Sequence, residues 1–251
     1  MNTHYAIHTK IRPLAFACLL STVLYPAAIL SLSGETLFTY DMAGSDIDSQ
    51  LKSPASINGI VVSNITTNNL TAGTVTAGTK ALTTAPAKSQ STYNFTTAYE
   101  QASWISFTVT AATGYSLSLD SFSVRAASGS ANDPGTPDTT VRAFYMLSSV
   151  TGFDSESSSV LLTDGNNATL PLRKDGLKLY SVTLSDARFQ NITETVEFRI
   201  YIQCSGTTQT IVFDDISLAG TLTAIPEAST ITLITGVAGL LFAALFSRRT
   251  R

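Results

Sequence analysis

Hydrophobic residues recur at every second position through most of the middle of this chain, and the polar residues between them are chiefly Ser and Thr. Val196, Phe198, Ile200, Ile202 and Cys204 fall on one side of an extended segment, with Glu197, Arg199, Tyr201 and Gln203 on the other. Period two is the signature of a half-buried strand. Ile105, Phe107 and Val109 alternate with Ser106, Thr108 and Thr110, and after Ala112-Thr113-Gly114 the pattern resumes with Tyr115, Leu117 and Leu119. Two such runs around a glycine-containing turn predict a hairpin. At Asp120-Ser121 the apolar phase slips to Phe122 and Val124, which predicts a bulge or a break.

Further strands are predicted over 36–41, 57–63, 141–148, 177–184 and 211–218. Residues 66–97 are dominated by Thr, Asn, Ala and Ser, so burial there does not offset ordering entropy. Loops with one or two edge strands are expected in that stretch. The run Asn132-Asp133-Pro134-Gly135 marks residues 128–140 as turn-rich. No long stretch has helical periodicity, and the expected fold is all-β: an antiparallel two-sheet β-sandwich of jelly-roll type.

Both ends break this pattern. Lys10 and Arg12 precede an uncharged run over 13–33 that ends in Ser31-Leu32-Ser33, the layout of a secretory signal peptide, with cleavage expected between Ser33 and Gly34. At the other end residues 230–246 carry no charge, Pro226-Glu227-Ala228 lies just before them, and Arg248, Arg249 and Arg251 follow. As a helix those 17 residues would span about 26 Å, marginal for a bilayer core. Basic residues after a span are held on the cytoplasmic side, which puts the preceding domain outside. The expected organisation is a signal peptide helix at 1–33, an exported β-sandwich at 34–224 and a sorting tail with a transmembrane helix at 225–251.

This tail resembles the PEP-CTERM sorting signal of Gram-negative bacteria. The matching residues are Pro226 and Glu227, the apolar run with Gly236 and Gly239, and Arg248, Arg249 and Arg251; Ala228 stands where the family's motif ordinarily has a second proline. The resemblance covers about 27 of the 251 residues. It implies passage through the Sec machinery and signal peptidase, a transient stay in the inner membrane, then recognition by an exosortase-like enzyme. Delivery to the cell surface or extracellular matrix would follow, where exopolysaccharide is a candidate partner.

Composition narrows what the domain between the ends can do. His4 and His8 are the only histidines and both precede the expected cleavage point, which leaves one cysteine, Cys204, and no histidine in the domain. Ser-His-Asp and Cys-His catalysis, histidine-ligated metals and an intramolecular disulfide are all excluded by that inventory. Cys204 reads as a small buried side chain. With 10 Lys and Arg against 17 Asp and Glu, the domain is acidic, which argues against nucleic acid as a partner.

Two clusters remain. Counting by twos, Asp214 shares a face with Val212, Ile216 and Leu218, so its carboxylate is expected in or beside the core, where it needs donors or a cation. This segment is similar to the last strand of jelly-roll carbohydrate-binding modules and of sandwiches on PEP-CTERM proteins. That resemblance implies structural calcium at Asp214 or Asp215, with Asp41 on the first strand as partner. Trp104 and Tyr201 fall on polar faces and are the candidate platform for stacking on a sugar. The expected function is an exported surface or matrix protein without catalysis of its own. A carbohydrate-binding module with calcium is the alternative, and a glycan-active enzyme using paired carboxylates, Asp154 with Glu156 or Asp214 with Asp215, is third.

Overall fold

The computed structural model describes residues 34–54, 58–72, 81–86, 92, 94–129, 141–154, 160–165, 168–205 and 210–226. The predicted signal peptide, Ser33, Glu156, Glu227, Ala228, the span at 230–246 and the arginines after it lie outside these residues. Among the described residues no helix is long and apolar enough to cross a membrane.

Among the described residues twelve strands form two six-stranded antiparallel sheets packed face to face. Sheet A contains β1 (Glu35–Tyr40), β4 (Leu70–Ala72), β5 (Leu82–Pro86), β7 (Tyr115–Ser128), β10 (Lys178–Thr183) and β12 (Ile211–Ala224). Its order is β10-β7-β12-β5-β4, with β1 also pairing β12. Sheet B contains β2 (Ile60–Val62), β3 (Thr66–Asn68), β6 (Trp104–Ala111), β8 (Arg142–Ser148), β9 (Val160–Leu161) and β11 (Val196–Cys204). Here the order is β2-β6-β11-β8-β9, and β3 shares the edge of β6 with β2. Two short helices, α1 (Ile47–Gln50) and α2 (Phe95–Gln101), complete the main elements.

The alternating positions fill the space between the sheets as period two requires. Phe107 on β6, Phe122 on β7 and Phe198 on β11 stack with ring centroids 5.5 Å, 6.1 Å and 6.4 Å apart, and Phe189 joins Phe198 at 6.4 Å. Such offset aromatic pairs add to the large area each ring buries. Cys204 is fully buried, as its place on the alternating face predicts.

The expected hairpin is not one. β6 lies in sheet B and β7 in sheet A, so Ala112-Thr113-Gly114 carries the chain across the sandwich from one sheet to the other. Phe107 and Phe122 therefore face each other through the core. The phase slip at Asp120-Ser121 is a bulge, not a break: β7 runs on, while its pairing with β12 shifts between Leu119↔Gly220 and Ser121↔Ala219. Gly220 suits that irregular point, because a Cβ there would lie 2.1 Å from the Ser118 carbonyl oxygen.

The stretch over 66–97 holds more structure than its composition predicts: three strands and the start of α2. Its polar residues close the helix ends. The Asn94 side chain accepts from the Thr97 N–H at 2.9 Å. At the other end Asn68 and Asn69 donate to the carbonyls of Ala102 and Gln101 at 2.6 Å and 3.2 Å. These are the capping bonds that orphaned helix-terminal groups need.

Candidate functional site

β12 is the spine of sheet A, and the first candidate site is a defect in it. On one side it pairs with β7 along its length. On the other side β5 covers Ile211, Val212 and Phe213, whereas β1 covers Ile216 to Gly220, which leaves Asp214 and Asp215 at the gap between them. The pairing with β7 also slips here, between Asp214↔Arg125 and Ser217↔Ser123. Asp215 takes a left-handed backbone with φ of 45°. That single extra residue inverts the alternation: Ile211 and Phe213 point into the core before the bulge, Ile216 and Leu218 after it.

Asp214 therefore does not share a face with Ile216 and Leu218. It lies half-buried on the other side of the strand, its Oδ1 accepting from the Asp215 N–H at 2.9 Å. Burial raises its carboxyl to about 6; the Asp215 N–H pulls the other way, and the charges of Asp215 and Asp41 add to the rise. Asp41 itself follows β1 directly and accepts from the Ala43 N–H at 3.1 Å. The Nε of Arg125 meets Asp215 at 3.2 Å.

The three predicted calcium residues are thus gathered at one gap, yet no group of three or more acidic, Cys or His side chains among the described residues is arranged to hold a metal ion. Calcium needs six to eight oxygens, and Asp215 is committed to a guanidinium. The donor set as placed does not fit the ion.

The second candidate is the outer face of sheet B. Trp104 and Tyr201 stand directly opposite each other on β6 and β11. Tyr201 is nevertheless only 3% exposed, because α2 lies over it together with Tyr145 and Leu147. Its ring is 5.6 Å from that of Tyr99 on α2. Gln203 pins the start of the helix, donating to the Thr92 carbonyl and the Thr97 hydroxyl, each at 2.6 Å. The expected open sugar platform at Tyr201 is thereby corrected: its polar-face position is covered by a helix too short to leave a periodic signature.

Trp104 stays half-buried, and beside it runs a stacked strip that the sequence reading did not assemble. The Arg199 guanidinium lies 4.9 Å from the Trp104 ring and 3.9 Å from that of Phe153, which follows β8. Glu197 grips it with two bonds, at 2.7 Å and 3.2 Å. Burial works against the Arg199 charge, but the bonds to Glu197 and Tyr201 more than restore it, and its pKa rises. Glu197 and Arg199 share a face by parity; Phe153 arrives from a distant loop and gave no signal. Asp154, next to it, is exposed.

The third region is the exit of the chain. β12 ends at Ala224 opposite Tyr115, the Ile225 N–H donates to the Gly114 carbonyl at 2.7 Å, and Pro226 is exposed just beyond. Gly34, on the far side of the expected signal cleavage, is exposed immediately before β1. A separate open groove of about 420 Å³ lies between Ser149-Val150 and the segment from Gln190 to Val196.

No family model matches this chain, and no curated protein matches it. Among solved structures it is similar to the CBM22-1 xylan-binding domain of Xyn10C from Paenibacillus barcinonensis, with 11% identity over 78% of this chain and 98% of that one. The TM-score is 0.30, a likeness that says nothing of function.

Proposed function

We infer that this chain is an exported sandwich of jelly-roll type, carried to the cell surface or extracellular matrix of a Gram-negative bacterium by its tail, and without catalysis of its own. The observation that supports this reading most is the exit of the last strand. Pro226, the first residue of the sorting motif, is exposed and directly follows a residue still bonded to the fold. A membrane-bound processing enzyme would find the motif at the surface of the domain, at the domain's junction with the predicted span. The test is expression of the full chain beside an exosortase-like enzyme. Mass spectrometry of the surface-associated protein should show no peptides beyond Ser229, whereas Pro226→Ala with Glu227→Ala should retain them. An unmodified tail in the first case would reduce the motif to an ordinary anchor.

A second reading, a glycan-binding module, is favoured by the strip of Trp104, Arg199 and Phe153, which remains partly open to solvent. Stacked faces of this kind suit a neutral sugar ring better than an acidic one, since Glu197 already neutralises the guanidinium. Binding to an exopolysaccharide panel that disappears in Trp104→Ala would establish it; equal retention by both proteins would remove it.

A further inference from the structure

The corner of the sandwich at which the chain leaves the fold has an unusual composition for so acidic a domain. Three segments meet there: the one carrying Gly59 and β2, the crossing from β6 to β7, and the end of β12. Residues 58–65, 104–119 and 216–226 contain no Asp, Glu, Lys or Arg. The adjoining loop, tied on by the Thr110–Thr195 hydroxyl pair at 2.8 Å, brings one charge, Glu194.

Large apolar groups stand exposed at the same corner, Ile225 at 44% and Tyr115 at 36%. Gly59 holds its segment tight against Tyr115 and Leu222, for a Cβ there would lie 2.5 Å from Leu222 and 3.4 Å from the Tyr115 ring. Tyr115 and Ile225 thus project from a fixed base.

Chain length decides what this corner can face. From Ile225 to the first residue of the predicted span at 230 there are five residues, which reach at most about 17 Å fully extended. The headgroup layer occupies roughly 5–8 Å of that. β1 is antiparallel to β12 and begins at Glu35 opposite Gly220, so the residue following the expected signal cleavage emerges towards the same corner. The predicted tail, together with the signal peptide until its cleavage, would therefore draw the domain to the bilayer by one end.

We propose that this corner is a lipid-facing surface, with Tyr115 and Ile225 seated among the headgroups while the tail is in the membrane. The proposal rests on the reading of the tail given above. An amphipathic ring favours that depth, and a corner whose charges are limited to Glu194 and Glu35 at its margin keeps low the cost of desolvating ions against the bilayer. The surface also fixes how the domain is presented: Pro226 is held at the membrane, and the opposite end of the sandwich, with the start of β12, points away.

The test uses the chain from Gly34 onward, as expected after signal cleavage, in which the buried Cys204 is the only native thiol. A polarity-sensitive dye is placed at Thr113→Cys or, as control, at Leu179→Cys on β10, which is 50% exposed and opposite Arg125, about 33 Å along β7 from Tyr115. The proteins are reconstituted into phosphatidylethanolamine–phosphatidylglycerol vesicles bearing a headgroup-level spin label, and insertion of the tail is scored separately by flotation in alkaline carbonate. Quenching is expected at 113 and not at 179. Adding Tyr115→Ser and Ile225→Ser should bring position 113 down to the level of position 179 while flotation is unchanged. Equal quenching at the two positions in a chain that floats would overturn the proposal and leave the tail reading intact. A chain that does not float would overturn both. Quenching at 113 that survives the two serines would overturn the role given to Tyr115 and Ile225.

Discussion

On the outer face of sheet B, Tyr145, Leu147 and Tyr201 lie beneath α2, whereas the outer face of sheet A shows a row of hydroxyls across four strands. Thr39 on β1, Ser217 on β12, Ser123 on β7 and Ser181 on β10 are neighbours in register, and the first two bond at 2.7 Å. Both faces are built by the same alternation. They differ in what the polar positions carry: large rings on one sheet, small hydroxyls on the other. Rings exposed together attract a cover, and here a seven-residue helix supplies it. Small hydroxyls remain solvated and require none. A residue's parity fixes the side of the sheet it occupies but not its access to water.

The largest effect that would break this contrast belongs to Tyr201→Ala, which should cost about 3 kcal/mol in denaturant unfolding if the ring is packed as core. A loss as small as that of an exposed residue would mean α2 does not cover it. Arg199→Lys should cost about 1 kcal/mol, because an ammonium loses the fork to Glu197 and stacks less well on Trp104 and Phe153; a double-mutant cycle with Glu197→Gln reads the coupling. Ser123→Ala, in the middle of the hydroxyl row, should change stability by less than about 0.5 kcal/mol.

Charge enters the face of sheet A at the bulge, and its effect there is one of pH. Asp214 holds its proton more tightly in the folded chain, up to about 6, than in the unfolded chain, at about 4. Its contribution is fully present below the unfolded value and is lost as pH rises through the folded one, so stability should fall between about pH 4 and 6 from this group. Asp214→Asn should flatten that part of the profile, as unfolding midpoints across pH will report. The smallest effect expected is that of calcium. At millimolar concentration it should leave Tm unchanged, and a rise lost in Asp214→Ala would show that the gap rearranges into a ligand set.

Much of the architecture was legible from residues alone. The alternation through Val196–Cys204 placed every residue of β11 on its observed side, and Cys204 with it. What escaped has particular causes. A turn such as Ala112-Thr113-Gly114 has the same local chemistry whether the chain folds back beside itself or crosses to the other sheet; the choice lies in long-range packing of Phe107 on Phe122. Counting by twos across Asp214-Asp215 assumed an unbroken strand, and one residue in the left-handed region reversed everything after it. α2 is too short for periodicity and is recognisable only by Asn94 as its cap. Parity put Trp104 and Tyr201 on the polar faces of their strands, but neither their pairing, nor the cover over Tyr201, nor Phe153 beside Trp104 is written in local sequence.

The continuity of β12 into the tail also has a mechanical meaning. Tension applied at Pro226 runs along the axis of a strand that is paired with β7 from Ile211 to Ala224. When the opposing force acts at the far end of the sandwich, the bonds of that ladder lie across the direction of pull and are strained together, as in a lap joint; when it acts at Glu35, β1 and β12 part from one end. A load applied between this point and the far end of the sandwich would therefore act on the β7–β12 ladder in shear.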